Sequence, residues 1–220
     1  APVLASYSQQ NINIFSEEID SLWENDPIGL SIFLERTETR LPLFEESFRQ
    51  SSVNLDVHWT LIAAISYQES HWNPKAISDT GVRGMMMLTQ KTAKEMGVKK
   101  RTNAEQSIFG GANYFQKNLS RLPEEIPKLD RMWMALAGYN VGFVNINLAR
   151  ELTSESGGNA NLWSDVSLYL PIVLIERYAE EENEFEKHLQ AIQYVERIQL
   201  YYQTLSILNR EKKMLLLAVN

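Results

Sequence analysis

The sequence predicts an all-α, helix-dominated protein. Alternating strand patterns are nearly absent, whereas apolar residues recur at helical spacing along most of the chain. Turn-forming breaks separate these periodic stretches at Asn25-Asp26-Pro27, Asn73-Pro74 and Gly157-Gly158-Asn159. With 220 residues and a hydrophobic content of 44%, the chain can bury the core of one large domain, with or without an arm.

Two short amphipathic helices are expected near the N-terminus. Residues 19–23 carry the apolar positions of the first, and residues 32–34 those of the second. We therefore expect residues 1–35 to be a linker or helical arm, residues 36–210 to form the main domain, and residues 211–220 to be a C-terminal tail.

Capping residues indicate where several later helices begin. Pro42 is expected to open one helix, and Asp56 to cap the next. Thr89 and Asn103 are expected to cap two more, and Gln106 would complete a capping box with Asn103. Further helices are expected around residues 132–139, 146–149, 163–169, 171–178 and 185–208.

Charge and composition exclude several classes of function. A net charge of −7 without a basic stripe gives no basis for binding nucleic acid, because phosphate contacts need clustered Lys and Arg. The absence of cysteine excludes disulfides, thiol nucleophiles and cysteine zinc sites, and the three histidines are scattered. No apolar run approaches the roughly 20 residues that span a bilayer. We expect no metal, no cofactor and no nucleic-acid partner.

One carboxylate, Glu69, stands at the end of an apolar helix. It continues, at a spacing of four, the core-facing stripe of Ile65 and Leu61. Asn73-Pro74 closes the helix soon afterwards, so Glu69 also lies near the negative end of the helix dipole. Burial and the dipole both raise the pKa of a carboxyl group. A carboxyl that keeps its proton near neutral pH is what acid-catalysed cleavage of a glycosidic bond requires.

The helix alone leaves a second interpretation of Glu69 open. Charged side chains on a core-facing stripe usually reach solvent, and Glu69 could pair with Lys75 or Arg83 instead. The residues around Glu69 favour the catalytic interpretation.

A set of motifs carries a resemblance to a known family. They are Glu69-Ser70, Asn73-Pro74, Ala76, Ser78, Thr80-Gly81, Gly84-Met85-Met86 and Leu88, with Arg40-Leu41-Pro42-Leu43, Gly110-Gly111, Tyr139-Asn140-Val141-Gly142 and Tyr194-Val195 in the expected order elsewhere. This sequence resembles the lytic transglycosylases with a goose-type lysozyme-like fold. It is most similar to the catalytic domain of the F-type membrane-bound lytic murein transglycosylases. Several separated motifs in one order are far more specific than any one of them.

The resemblance implies a lysozyme-like catalytic domain at residues 36–210. Glu69 would be its single acid and base, which protonates the oxygen between N-acetylmuramic acid and N-acetylglucosamine. It would then deprotonate the C6 hydroxyl of the same muramic acid and so close a 1,6-anhydro ring. Ser78 and Tyr139 match the family's serine and tyrosine that position the reacting sugar, and we expect them to be catalytic. Substrate contacts are expected from Ser70, Met85, Met86, Met87, Asn140 and Tyr194.

Several of these residues also have structural interpretations. Ser78 lies in Ser-Asp-Thr-Gly, an ordinary turn composition, and residues 139–142 could simply form a helix end. Met87 stands where the wider superfamily commonly has Gln. Filling an irregular core is the better interpretation for at least two of the three methionines.

Two departures from the family pattern concern the cleft. The acidic run from Glu180 to Glu186 replaces a Gly-rich segment of the relatives, and it would repel peptide carboxylates if it faced the cleft. We expect an exposed loop or solvated face there instead. Phe143-Val144 replaces a second small residue, which would change the shape of the groove.

The resemblance also implies a partner and a location. These are the glycan strands of peptidoglycan and the bacterial periplasm, with outer-membrane association in the full-length form. Because the chain opens at Ala1-Pro2 without a signal peptide, we expect a mature or trimmed chain. A longer precursor would carry a membrane tether or an N-terminal regulatory domain. Two rival functions are a goose-type muramidase, which adds water, and a catalytically silent peptidoglycan-binding domain.

Overall fold

Helices make up nearly all the regular structure in the computed structural model, which describes residues 15–178 and 184–219, with side chains at 15–178 and 190–217. No β-strand occurs in these ranges, where pairing is limited to isolated bridges of Arg83 with Ile77 and Leu88. The all-α prediction is therefore confirmed. The helices are α1 (15–22), α2 (Pro27–Thr39), α3 (Glu45–Ser52), α4 (Trp59–Ser70), α5 (Gln90–Glu95), α6 (Ala104–Ser120), α7 (Lys128–Val141), α8 (Phe143–Glu155), α9 (Trp163–Tyr178) and α10 (Glu184–Val219).

Two of the four predicted helix starts are confirmed. The Thr89 side chain accepts a hydrogen bond from the backbone N–H of Thr92 at 3.0 Å, and Asn103 accepts one from Gln106 at 2.9 Å. The capping box is only half formed, because the Gln106 side chain accepts from the N–H groups of Lys99 and Lys100 rather than turning back to Asn103.

Two predicted starts are wrong. Asp56 lies too far upstream to cap α4, and His58 takes the N-cap position. The carboxylate of Asp56 pairs instead with Lys128 at 2.9 Å. Pro42 opens a short 3-10 turn, Leu41–Leu43, and α3 begins only at Glu45.

Pro171 does not separate two helices. The runs predicted at 163–169 and 171–178 form one helix, α9, with Pro171 inside it. Val166 and Leu170 before the proline and Val173 and Leu174 after it are all buried. Packing of this continuous apolar face outweighs the missing N–H of Pro171.

The described part of the expected N-terminal arm packs into the main core. Trp23 and Phe33 are buried, with ring centroids 5.5 Å apart, and Phe33 stacks on Tyr201 of α10 at 5.1 Å. The Trp23 indole also donates a 2.8 Å hydrogen bond to Thr204 of α10. The boundary expected between residues 35 and 36 falls inside α2, and residues 211–219 of the expected tail continue α10.

Helix α4 is the central element that carries Glu69. Its residues 61–65 have no solvent exposure, and it packs against α3, α6 and α10. His71 ends the helix in the left-handed conformation (φ 51°), and the next residue, Trp72, donates from its indole to the carbonyl of Ala63 at 2.9 Å. This anchor turns the chain sharply, so that residues 73–89 form a loop beside the C-terminal end of α4.

Candidate active site

A cleft of about 1000 Å³ opens at the C-terminal end of α4. Its walls come from the loop after α4, the end of α7, the end of α9 and the described middle of α10. The lining residues are Gln68, Glu69, Ser78, Thr80, Val82, Met87, Thr89, Tyr139, Asn140, Val141, Leu174, Tyr178, Gln190, Gln193, Tyr194 and Arg197.

Glu69 lies in this cleft with part of its side chain accessible to solvent. Burial of the carboxyl raises its pKa from 4.5 to about 7, and a hydrogen bond from Tyr194 opposes this rise in part. The Tyr194 hydroxyl donates to Oε1 of Glu69 at 2.6 Å. The raised pKa expected from the sequence is therefore confirmed. Among the described contacts, neither Lys75 nor Arg83 pairs with Glu69.

The two cleft tyrosines have different partners. Tyr194 contacts the acid, whereas the Tyr139 hydroxyl donates to the backbone carbonyl of Met86 at 2.9 Å. Burial, and then the charge of Glu69, raises the pKa of both phenols well above 10. Both therefore remain protonated hydrogen-bond donors at neutral pH. From the sequence, we expect Tyr139 to position the reacting sugar and Tyr194 to contact the substrate; the contact between Tyr194 and the acid is an addition from the structure.

Side chains from α4 and α6 fix the methionine run behind the cleft wall. Met85 and Met86 have no solvent exposure. The Met85 carbonyl accepts hydrogen bonds from Ser66 at 3.1 Å and Ser70 at 2.8 Å, both on α4. The N–H of Met86 donates to Ser107 of α6 at 3.1 Å. These bonds satisfy backbone groups that would otherwise be buried without partners.

Close backbone contacts explain glycines of the motif. Gly84 has φ +89°, and a Cβ there would lie 1.8 Å from the carbonyl oxygen of Arg101. A Cβ on Gly111 of α6 would lie 2.6 Å from the Met86 side chain. The Arg101 guanidinium also donates to the carbonyls of Gly81 at 3.0 Å and Leu88 at 2.8 Å. Only glycine lets the loop lie this close to α6 and its preceding turn.

The structure brings most of the sequence-predicted site residues together, but not all of them. Glu69, Ser78, Met87, Tyr139, Asn140 and Tyr194 line the cleft. Ser70, Met85 and Met86 lie behind its wall, so we replace their expected sugar contacts with a supporting role. Core packing thus accounts for two of the three methionines, and the third, Met87, reaches the cleft from a left-handed backbone with φ 43°.

Ser78 combines its two interpretations. Its hydroxyl accepts from the N–H of Val82 at 3.2 Å and lies 2.9 Å from the Thr80 hydroxyl, as expected of a turn-forming serine. The same turn presents Ser78 and Thr80 to the cleft.

Of the two departures from the family pattern, one falls outside the described side chains and the other lies away from the cleft. Side chains 179–189, which include the acidic run, are outside the described residues. Phe143 is buried beneath the Arg121 guanidinium, 3.9 Å from the ring centroid, and neither it nor Val144 lines the cleft.

On the polar cleft face of α10, sequence reasoning predicted Tyr194 and missed Gln190, Gln193 and Arg197. Gln190, Gln193, Tyr194 and Arg197 all line the cleft, at helical spacings of three and four. This periodicity was the available signal, but polar residues at helical spacing usually form a solvated face.

The described residues contain neither a metal-binding cluster nor a helix that could span a membrane. No group of three or more His, Cys, Asp or Glu side chains in this part of the chain could hold a metal ion. Of the helices described, none is long and apolar enough to span a bilayer.

The described helices of this chain, with Glu69 as the carboxylic acid among the described cleft residues, fit the lysozyme-like class. Residues 46–162 match the family model described as "Transglycosylase SLT domain", and the chain belongs to that family. Three similar relatives are each named "Membrane-bound lytic murein transglycosylase F". The identity is 47% over 182 residues for Saccharophagus degradans, 48% over 181 for Photobacterium profundum and 48% over 188 for Idiomarina loihiensis.

These alignments cover most of this chain but a minor part of each relative. They span 82%, 82% and 85% of the chain, and 36%, 35% and 41% of the respective relatives. The resemblance to the F-type group that the motifs indicated is confirmed.

Proposed function

We propose that this chain is a peptidoglycan lytic transglycosylase domain. It cleaves the β-1,4 bond between N-acetylmuramic acid and N-acetylglucosamine and leaves 1,6-anhydromuramic ends. The observation that carries the proposal is Glu69, a carboxyl group with a pKa of about 7 in an open cleft and in contact with a phenol donor. The names of the relatives, which refer to murein, support the same substrate here.

Glu69 acts first as an acid. Since Tyr194 occupies Oε1, the other oxygen, Oε2, is left to face the sugar. Its proton passes to the bridging oxygen while the bond from C1 of muramic acid to that oxygen breaks. The pKa of about 7 keeps a large fraction of Glu69 protonated at neutral pH.

Glu69 then acts as a base. Its carboxylate takes the proton of the C6 hydroxyl on the same muramic acid, and O6 forms a bond to C1. The reaction regenerates protonated Glu69 and consumes no water. Tyr194 remains protonated throughout, and its hydrogen bond strengthens when Glu69 becomes a carboxylate, which stabilises the intermediate stage.

A single carboxyl group sets this scheme apart from common glycosidases, which use two. Glu69 is the only carboxylic acid among the described residues that line the cleft. The N-acetyl group of the substrate therefore stabilises the positive charge that develops at C1. Ser78, Asn140 and Tyr139 lie in the same cleft and position the sugar's polar substituents.

The comparisons also support a location for the whole protein. The relatives are named membrane-bound, and the chain spans little more than a third of their length. We place the domain in the bacterial periplasm, with outer-membrane association of the full-length form. A membrane tether or an N-terminal regulatory domain would belong to a longer precursor.

The test is digestion of purified sacculi, followed by mass spectrometry of the soluble products. The wild-type chain should release 1,6-anhydro products, and Glu69→Gln should release none while staying folded. Glu38→Gln, at an exposed position on α2, is the charge-matched control and should retain full activity. Product ends heavier by one water would indicate a muramidase. Binding to sacculi without soluble product from the wild-type chain would indicate a silent binding domain.

A further inference from the structure

Arg197 is the one cationic side chain among the described residues that line the cleft. Apart from Glu69 and the tyrosines, its polar neighbours there are neutral amides and hydroxyls. The chain as a whole carries a net charge of −7. Neutral N-acetyl sugars require no cation, so the presence of Arg197 points to a negatively charged part of the ligand.

Among the described residues, no side chain competes with a ligand for the Arg197 guanidinium. Arg197 is exposed, and within the described residues it has no ion pair or hydrogen-bonded side-chain partner. By contrast, Arg49 of α3 pairs with Glu45 at 2.7 Å. Arg210, which lies on α10 like Arg197, pairs with Glu18 at 2.8 Å.

Arg197 shares the cleft with Glu69 without being its counter-ion. It lies three residues after Tyr194, about 4.5 Å further along the axis of α10. Burial and Tyr194 set the pKa of Glu69, whereas the charge of Arg197 acts on the phenol of Tyr201, one turn further from the acid. The guanidinium can therefore hold an anionic group while Glu69 keeps its proton.

We propose that Arg197 binds a carboxylate carried by the muramyl residue. It would be a specificity-determining residue that favours muramyl glycans over neutral glycans of N-acetylglucosamine, and this role rests on the function proposed above. Muramic acid carries a lactyl group whose carboxyl is either free or amide-linked to a peptide with carboxylates of its own. A guanidinium can bind either carboxylate through two parallel hydrogen bonds.

The test measures binding in the Glu69→Gln background, so that no ligand is cleaved. Calorimetry would compare three tetrasaccharides: one with free lactyl carboxylates, one with stem peptides, and neutral chitotetraose. Adding Arg197→Gln should raise the Kd about tenfold for at least one carboxylate ligand and less than about twofold for chitotetraose. The ligand that loses affinity identifies the source of the carboxylate. Arg197→Lys, which keeps the charge, should restore part of the affinity.

Lys213→Gln is the matched control. It removes one positive charge from an exposed position on α10, sixteen residues beyond Arg197 and about 24 Å away along the axis. It should leave all three Kd values unchanged. Equal weakening for chitotetraose after Arg197→Gln, or no weakening for either carboxylate ligand, would overturn the proposal.

The two proposals can fail separately. If wild-type protein released no anhydro products, the transglycosylase proposal would fail, but this binding comparison would still be decisive for Arg197. If products appeared and the binding pattern were absent, only the role of Arg197 would be lost.

Discussion

Replacing Glu69 with Gln should stabilise the protein at alkaline pH while it removes activity. Burial raises the pKa of Glu69 from 4.5 to about 7 in the folded chain. At about 1.4 kcal/mol per pKa unit, keeping Glu69 ionised in the folded state costs about 3 kcal/mol. Because the side chain is partly exposed and solvent screens its charge, we expect about 2 kcal/mol in practice.

The sign follows from the proton balance. Between pH 4.5 and 7 the folded chain holds the Glu69 proton more tightly than the unfolded chain does. The contribution of this group to stability is therefore complete below pH 4.5 and is lost as the pH rises through 7. Gln carries no charge at any pH, and its carbonyl oxygen can still accept the hydrogen bond from Tyr194.

The assay is urea unfolding of both proteins at pH 4.5 and pH 8.5. The Gln variant should have the higher free energy of unfolding at pH 8.5, and the difference should shrink towards pH 4.5. Glu38→Gln, at an exposed site, should show no such trend. An effect of Glu69→Gln that is independent of pH would refute the claim that the folded protein disfavours the ionised form.

Three further substitutions test other parts of the site. Tyr194→Phe removes the hydrogen bond that stabilises the Glu69 carboxylate, so kcat should fall. The same bond lowers the pKa of Glu69, so the decline of kcat/KM above pH 7 should move to higher pH. An unmoved pH profile would contradict this role. Gly84→Ala should lower the free energy of unfolding in urea by about 3 kcal/mol or more, because the added Cβ meets the carbonyl of Arg101. Gly81 also has a positive φ (+79°), but no atom lies near its added Cβ, so Gly81→Ala should cost only about 1 kcal/mol. Equal costs would count against the close contact at Gly84. Ser70→Ala removes a hydrogen bond to a buried carbonyl and should cost about 1 kcal/mol in urea unfolding with little change in KM, while a large rise in KM would restore Ser70 to the substrate contacts.

The fold could be predicted where local signals and packing agree. Thr89 and Asn103 cap helices as expected, because a cap depends on a few neighbouring residues. Local sequence signals predicted the wrong structure where the packing of distant residues determines the conformation. Pro171 sits inside a continuous helix, since the apolar face on either side of it is buried. The arm looked peripheral in sequence, yet Trp23 meets a helix about 180 residues later.

The sequence pattern predicted those features of the site that depend on a single segment of the chain. The position of Glu69 at the end of an apolar stripe was enough to predict the direction of its pKa change. The phenol that contacts it belongs to Tyr194, which is 125 residues away, and no spacing rule links the two. The exposure of the three methionines likewise depends on the path of the loop, which buries Met85 and Met86 and leaves Met87 at the cleft.

The position of α10 couples the arm to the chemistry of Glu69. Tyr194 and Arg197 reach the cleft because α10 lies against α4. The Trp23–Thr204 hydrogen bond and the Phe33–Tyr201 stack hold α10 about two turns further along the same helix. The Tyr139 hydroxyl, by contrast, is bonded to the loop carbonyl of Met86 and not to α10. Loosening the arm should therefore change the pKa of Glu69 through Tyr194 while leaving Tyr139 in place. We therefore expect residues 15–35 to affect the active site although none of them lines the cleft.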